Sequence, residues 1–133
     1  MGWARTSPPP DWTAARSAWA IDTAGNLRHW YWSPTSGGLQ AETWGSGVVG
    51  RPSAIAVGAQ QHVFVRGVAG TVEHFWSNGS VSHDTWGSGI TSDPTGELVG
   101  SQQHVWAQDA AGDNQHWFRD PATSANAHDN WGK

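Results

Sequence analysis

Apolar and polar positions along this chain alternate in short runs, each closed by glycine or a polar turn. Between Ser53 and Gly89 the runs are Ala54–Val57, His62–Arg66, Val72–Trp76 and Val81–Trp86. They are rich in β-branched and aromatic residues and too short for helices, so they read as strands. Gly58, Gly67 and the Val68-Ala69-Gly70-Thr71 turn separate them, and Asn78-Gly79 supplies a strong hairpin signal. The segment therefore predicts four strands in an antiparallel meander. A helix over Asp11–Ala24, with Trp12, Ala15 and Trp19 at helical spacing, is the competing reading. It gives way because its counterparts elsewhere contain Gly58, Gly100 and β-branched runs, which make poor helices.

Those counterparts exist because the pattern recurs. Ala24-Gly25, Ala69-Gly70 and Ala111-Gly112 are each followed by His29-Trp30-Tyr31, His74-Phe75-Trp76 or His116-Trp117-Phe118, and then by Trp44-Gly45, Trp86-Gly87 or Trp131-Gly132. Ala18-Trp19-Ala20-Ile21, Val63-Phe64-Val65-Arg66 and Val105-Trp106-Ala107-Gln108 lie in register, and Gln60-Gln61-His62-Val63 returns as Gln102-Gln103-His104-Val105. Pro52 aligns with Pro94, with Pro8 close by. A period of this size fits four-stranded propeller blades. The expected architecture is an all-β propeller unit occupying residues 1–133, with blades at approximately 8–47, 50–90 and 93–133.

Three blades in an open arc leave two aromatic faces in water, whereas closed propellers have about four to eight blades. Head-to-tail association of two chains closes six blades, so a homodimer is expected, with a nine-bladed trimer as the alternative.

Composition sharpens this picture. The chain has 11 Trp and 17 Gly in 133 residues, no Cys, 7 Lys+Arg against 11 Asp+Glu, and a net charge of −4. A Trp-rich surface without a basic stripe does not suit nucleic acid. No apolar stretch is long enough for a membrane span, and the start, MGWARTSPPP, lacks the apolar core of a secretory signal. The carboxylates form no local pair of a known mechanism, Trp86-Gly87-Ser88-Gly89 lacks nucleophile-elbow spacing, and the histidines show no metal-ligand spacing. No catalysis, cofactor or metal is expected. Carbohydrate fits better: tryptophan offers a flat platform to the apolar face of a sugar, and polar groups answer its hydroxyls. The same aromatics could instead only pack blade on blade, giving a structural or protein-interaction propeller. Trp19, Phe64 and Trp106, central in their strands, are expected in the packing, while Trp44, Trp86 and Trp131 serve as blade wedges or as pocket walls.

The string from His62 to Gly79, with Val63-Phe64-Val65-Arg66-Gly67, Ala69-Gly70, His74 and Trp76, resembles the blade motif of the PLL-like β-propeller lectins of bacteria. The connection Gly89-Ile90-Thr91-Ser92-Asp93-Pro94 is similar to that family's inter-blade segment. The resemblance implies binding of free monosaccharides or glycans, fucose-like or O-methylated, in clefts between blades. By motif position it implies contacts from His29, His74 and His116, from Tyr31, Trp76 and Phe118, and from Arg66. Two departures stand out. Family members usually carry a full ring in one chain, and the Arg-Gly pair survives only at Arg66-Gly67, its counterparts being Ile21-Asp22 and Gln108-Asp109.

Overall fold

The computed structural model describes residues 2–5 and 16–133, and the regular structure in them is entirely β. The strands are β1 (Trp3–Arg5), β2 (Arg16–Ile21), β3 (Leu27–Trp32), β4 (Gln40–Gly45), β5 (Val48–Val57), β6 (Gln60–Gly67), β7 (Thr71–Ser77), β8 (Val81–Ser88), β9 (Thr95–Val99), β10 (Gln102–Gln108), β11 (Asn114–Arg119) and β12 (Asn126–Gly132). They form three antiparallel meanders, β1–β4, β5–β8 and β9–β12, each a propeller blade. The first strands β1, β5 and β9 neighbour one another, so the blades fan outward from a shared inner edge.

Two details differ from the sequence expectation. Strand β1 lies ahead of residue 8, and Pro8 together with the first part of the Asp11–Ala24 segment falls outside the described residues. The remainder of that segment is strand β2 and a turn, not a helix. Strand β5 also begins at Val48 rather than Ala54. Its pairing with β6 is interrupted between Val49 and Ser53 by an irregularity that accommodates Pro52, which has no N–H to donate.

The repeated Ala-Gly pairs turn the chain between the second and third strands. Gly25, Gly70 and Gly112 have φ of 82°, 79° and 84°, a left-handed backbone that favours glycine. Asp22 and Asp109 brace two of these turns by accepting backbone N–H bonds from Ala24 and Asn26, and from Ala111 and Asp113. The turns also fasten neighbouring blades, since Val48 N–H donates to Gly25 O and Ile90 N–H to Gly70 O.

Strand alternation gives each blade two different faces. In the middle blade one face carries Val63, Val65 and Phe75, and the opposite face carries Phe64, Val72 and Trp86. The first set packs with Trp19, Ile21, Leu27, Trp44 and Val48 of the seam with the first blade. The second set packs with Ile90, Val105, Ala107 and Trp117 toward the third blade. Both seams thus join the same two kinds of face.

Candidate functional site

The recurrent histidines are the centre of each blade. His29, His74 and His116 sit on the third strands, directly opposite Glu42, Asp84 and Asp129 of the fourth strands. Each Nδ1 lies against that carboxylate, at 2.9, 2.8 and 2.7 Å. Each Nε2 meets a second-strand group: Ser17 Oγ at 3.0 Å, His62 Nδ1 at 2.8 Å and His104 Nδ1 at 2.8 Å. His62 and His104 end on the side-chain amides of Gln60 and Gln102. A carboxylate can only accept, so Nδ1–H of His74 donates to Asp84, while His62 Nε2 lies against Gln60 Oε1 at 2.9 Å. All three recurrent imidazoles are buried, with both nitrogens engaged.

Burial pushes the His29 and His74 imidazoles below their ordinary pKa, against the pull of Glu42 and Asp84. His62 falls to about 4, through burial and then the positive charges of His74 and Arg119. Burial raises the Asp84 carboxyl, but the hydrogen bonds from His74 and Arg119 outweigh it and leave the pKa low. His29, His62 and His74 are therefore neutral struts at neutral pH.

Around each strut the predicted aromatics form a stack. His29 lies between Trp19 (4.6 Å) and Tyr31 (5.2 Å), His74 between Phe64 (4.7 Å) and Trp76 (4.7 Å), and His116 between Trp106 (4.9 Å) and Phe118 (5.2 Å). Trp44, Trp86 and Trp131 close on these stacks, edge-on to Trp19, Phe64 and Trp106. The structure thus gathers nine of the ten predicted residues into three clusters, one per blade. Tyr31, Trp76 and Phe118 stand half-buried at the stack ends. Arg66 stands apart and reaches across the second seam toward Asp93, at 3.5 Å.

A cleft lies where the middle blade's cluster meets the third blade, with a volume of about 400 Å³. Trp86 and the Gly87-Ser88-Gly89 strand end form one wall, and Trp117, Gln115, Asn126 and His128 form the other. His128 stacks on Trp117 at 4.9 Å, and its Nε2 lies 2.7 Å from Gln115 Oε1. Arg119 ties the walls together, bonding Asp84 at 2.8 Å and covering the Trp86 ring at 4.8 Å. Trp86 Nε1 is buried without a hydrogen-bond partner, whereas Trp44 Nε1 donates to Glu42. Asp84, one methylene shorter than Glu42, is already shared by His74 and Arg119.

The same set of contacts recurs at the first seam. Gly45 packs on the Phe75 ring as Gly87 packs on Trp117. His83 stacks on Phe75 at 4.5 Å and pairs with Glu73 at 2.9 Å, as His128 does with Trp117 and Gln115. Reading the sequence missed Phe75, His83, Glu73, Trp117, His128 and Gln115. The available signal was positional: Phe75 and Trp117 directly follow the recurrent histidines and so point to the opposite face. A larger cleft, about 700 Å³, opens at the inner edge between β1, β5 and β9, where Trp3, Arg51, Pro52, Asp93 and Pro94 meet.

A family model described as a repeat of unknown function (DUF346) matches residues 17–54 and 60–96. More than half of the chain lies in these matches, and the chain belongs to this repeat family. Each matched unit begins in a blade's second strand and runs into the first strand of the next blade. The fold is also that of AofleA from Arthrobotrys oligospora, whose crystal structure as a triple arginine-to-alanine mutant is similar at a TM-score of 0.76 over 99% of this chain, with 11% identity. The chain spans 41% of that chain's length. No curated protein matches it by sequence.

Proposed function

We propose that this protein is a lectin that binds carbohydrate without transforming it, in the clefts at its blade seams. The observation that carries the reading is the recurrence of one lining, an indole and a Gly-rich strand end facing an aromatic-histidine stack with a polar partner, at both seams. Such a lining offers an apolar wall and a hydrogen-bonding rim, which is what a sugar ring requires. The PLL-like resemblance favours fucose-like or O-methylated monosaccharides, whose methyl groups add apolar surface to the ring. The recurrent histidines, with both nitrogens engaged, support the sites from behind. Contact with sugar falls to the cleft residues, with Trp86 and Trp44 as walls.

Calorimetric titration with methyl α-L-fucoside and an O-methylated fucoside tests the reading. Wild type should bind saturably, and Gln115→Ala or His128→Ala should weaken the second-seam site about tenfold, the effect of one lost hydrogen bond of about 1.4 kcal/mol. A folded protein silent toward these sugars and toward a broad glycan array would overturn it.

A second reading, a propeller whose aromatics only pack, is favoured by one observation: Trp44, Trp86, Phe75 and Trp117 are each less than a tenth exposed. In that case the same variants would alter stability and never meet a ligand.

A further inference from the structure

The two outer faces of the arc are the two halves of a seam. The third blade's outer face carries the stack of Trp106, His116 and Phe118 with Trp131. Its counterparts in the first and second blades are covered by the next blade: Trp44 and Trp86 are 7% and 6% exposed, and Trp19 and Phe64 are fully buried. Trp131 is 59% exposed, and Trp106 is only half-buried.

Among the described residues, the first blade presents the opposite kind of face. Ala18 and Trp30, half-buried, and Ala20, fully buried, stand where Val63, Phe75 and Val65 stand in the middle blade, with Trp3 beside them, 53% exposed and 5.0 Å from Trp30. The glycines tell the same story. A side-chain carbon at Gly45 or Gly87 would collide with Phe75 or Trp117, whereas one at Gly132 would meet nothing within 4 Å. Among the described residues, no glycine is packed against the equivalent ring, Trp30.

We infer that a second copy of this chain docks its first-blade face on this third-blade face, and that the new seam is a further sugar cleft built from both copies. The two seams inside the chain are the template, since each joins one face of either kind. Two copies joined twice give six blades, within the range of about four to eight that closed propellers have. Three copies would give nine. The joined cleft would set Trp131 and Gly132 of one copy against Trp30 and Arg28 of the other. Arg28 replaces Glu73 and Gln115 of the internal clefts, and it lies over the Trp30 ring, 6.0 Å from its centroid. A guanidinium beside an aromatic face suits a sugar that bears a carboxylate, such as a uronic acid.

The cleft's ligand rests on the proposed carbohydrate function; the association does not. The mass of the wild-type chain by light scattering should be twice 14.3 kDa. Ala18→Arg places a charged side chain where Val63 is fully buried in the template seam, and should give a monomer with an unchanged far-UV spectrum. Methyl α-D-glucuronide should bind wild type and lose at least tenfold in affinity with Ala18→Arg, and likewise with Arg28→Gln, while methyl α-L-fucoside binds all three alike. A monomeric wild type overturns the docking. A dimer with glucuronide binding indifferent to Ala18→Arg overturns the shared cleft. A dimer that binds neither sugar overturns the carbohydrate reading and with it the shared cleft as a sugar site, and leaves the docking standing.

Discussion

A neutral histidine whose Nδ1 lies against a carboxylate has one tautomer open to it, with the proton on Nδ1. That is the state of His74, and it explains why the residue recurs: in a strand it joins the second, third and fourth strands through side chains as well as backbone. The arrangement predicts a pH dependence. His62 has a folded-state pKa of about 4 against an ordinary 6.5, and burial lowers His29, His74 and His104 too. The unfolded chain therefore binds more protons than the folded one in this window. Stability is fully present above about pH 6.5 and falls as the pH drops toward 4. One pKa unit corresponds to about 1.4 kcal/mol, so the loss from His62 alone, after some screening by solvent, is on the order of 2 kcal/mol. Thermal melts at pH 7, 6, 5 and 4 should show a midpoint that falls steadily below pH 6.5. A flat profile down to pH 4 would mean that these imidazoles are not held neutral.

At the scale of the strand, the seams depend on glycines that let an aromatic ring lie on the backbone. A methyl at Gly87 would strike the Trp117 indole, a rigid group locked in the second-seam core. Gly87→Ala should therefore destabilise by about 2 kcal/mol, as overpacking does, whereas Gly89→Ala, with open space around it, should cost about 1 kcal/mol through its positive φ of 80°. Urea titration of both variants checks this, and equal effects would show that the ring is free to move aside.

The sequence made the strand framework legible, because Ala-Gly turns, Asn78-Gly79 and the recurrent histidines are local signals tied to backbone geometry. It concealed the clefts. Glu73 and Gln115 differ between repeats, and the pairing of His83 and His128 with them appears only once the register of β7–β8 and β11–β12 is known. Gln60-Gln61-His62 and its copy were visible as strings, yet the contact between His62 and His74 runs diagonally across two strands and has no spacing signature. Arg66 is implied as a ligand contact by motif position alone, and its partner Asp93 lies in the next blade, a pairing no local spacing announces.

At the scale of the whole molecule, the blades are built alike and differ at their margins. The common part is the strut and its stack, which fixes each sheet. The variable part is the set of side chains facing across a seam: Glu73 with His83, Gln115 with His128, and Arg28 on the open side. One scaffold can thereby present neighbouring clefts of different charge. Sugar held at the seams would be visible by nuclear magnetic resonance. With methyl α-L-fucoside added to isotope-labelled protein, the Trp86 and Trp117 indole N–H signals and the His83 and His128 ring signals should shift saturably, while those of the buried His29 and His74 stay in place. Unmoved seam signals at millimolar sugar, or shifts confined to residues away from both seams, would contradict the account.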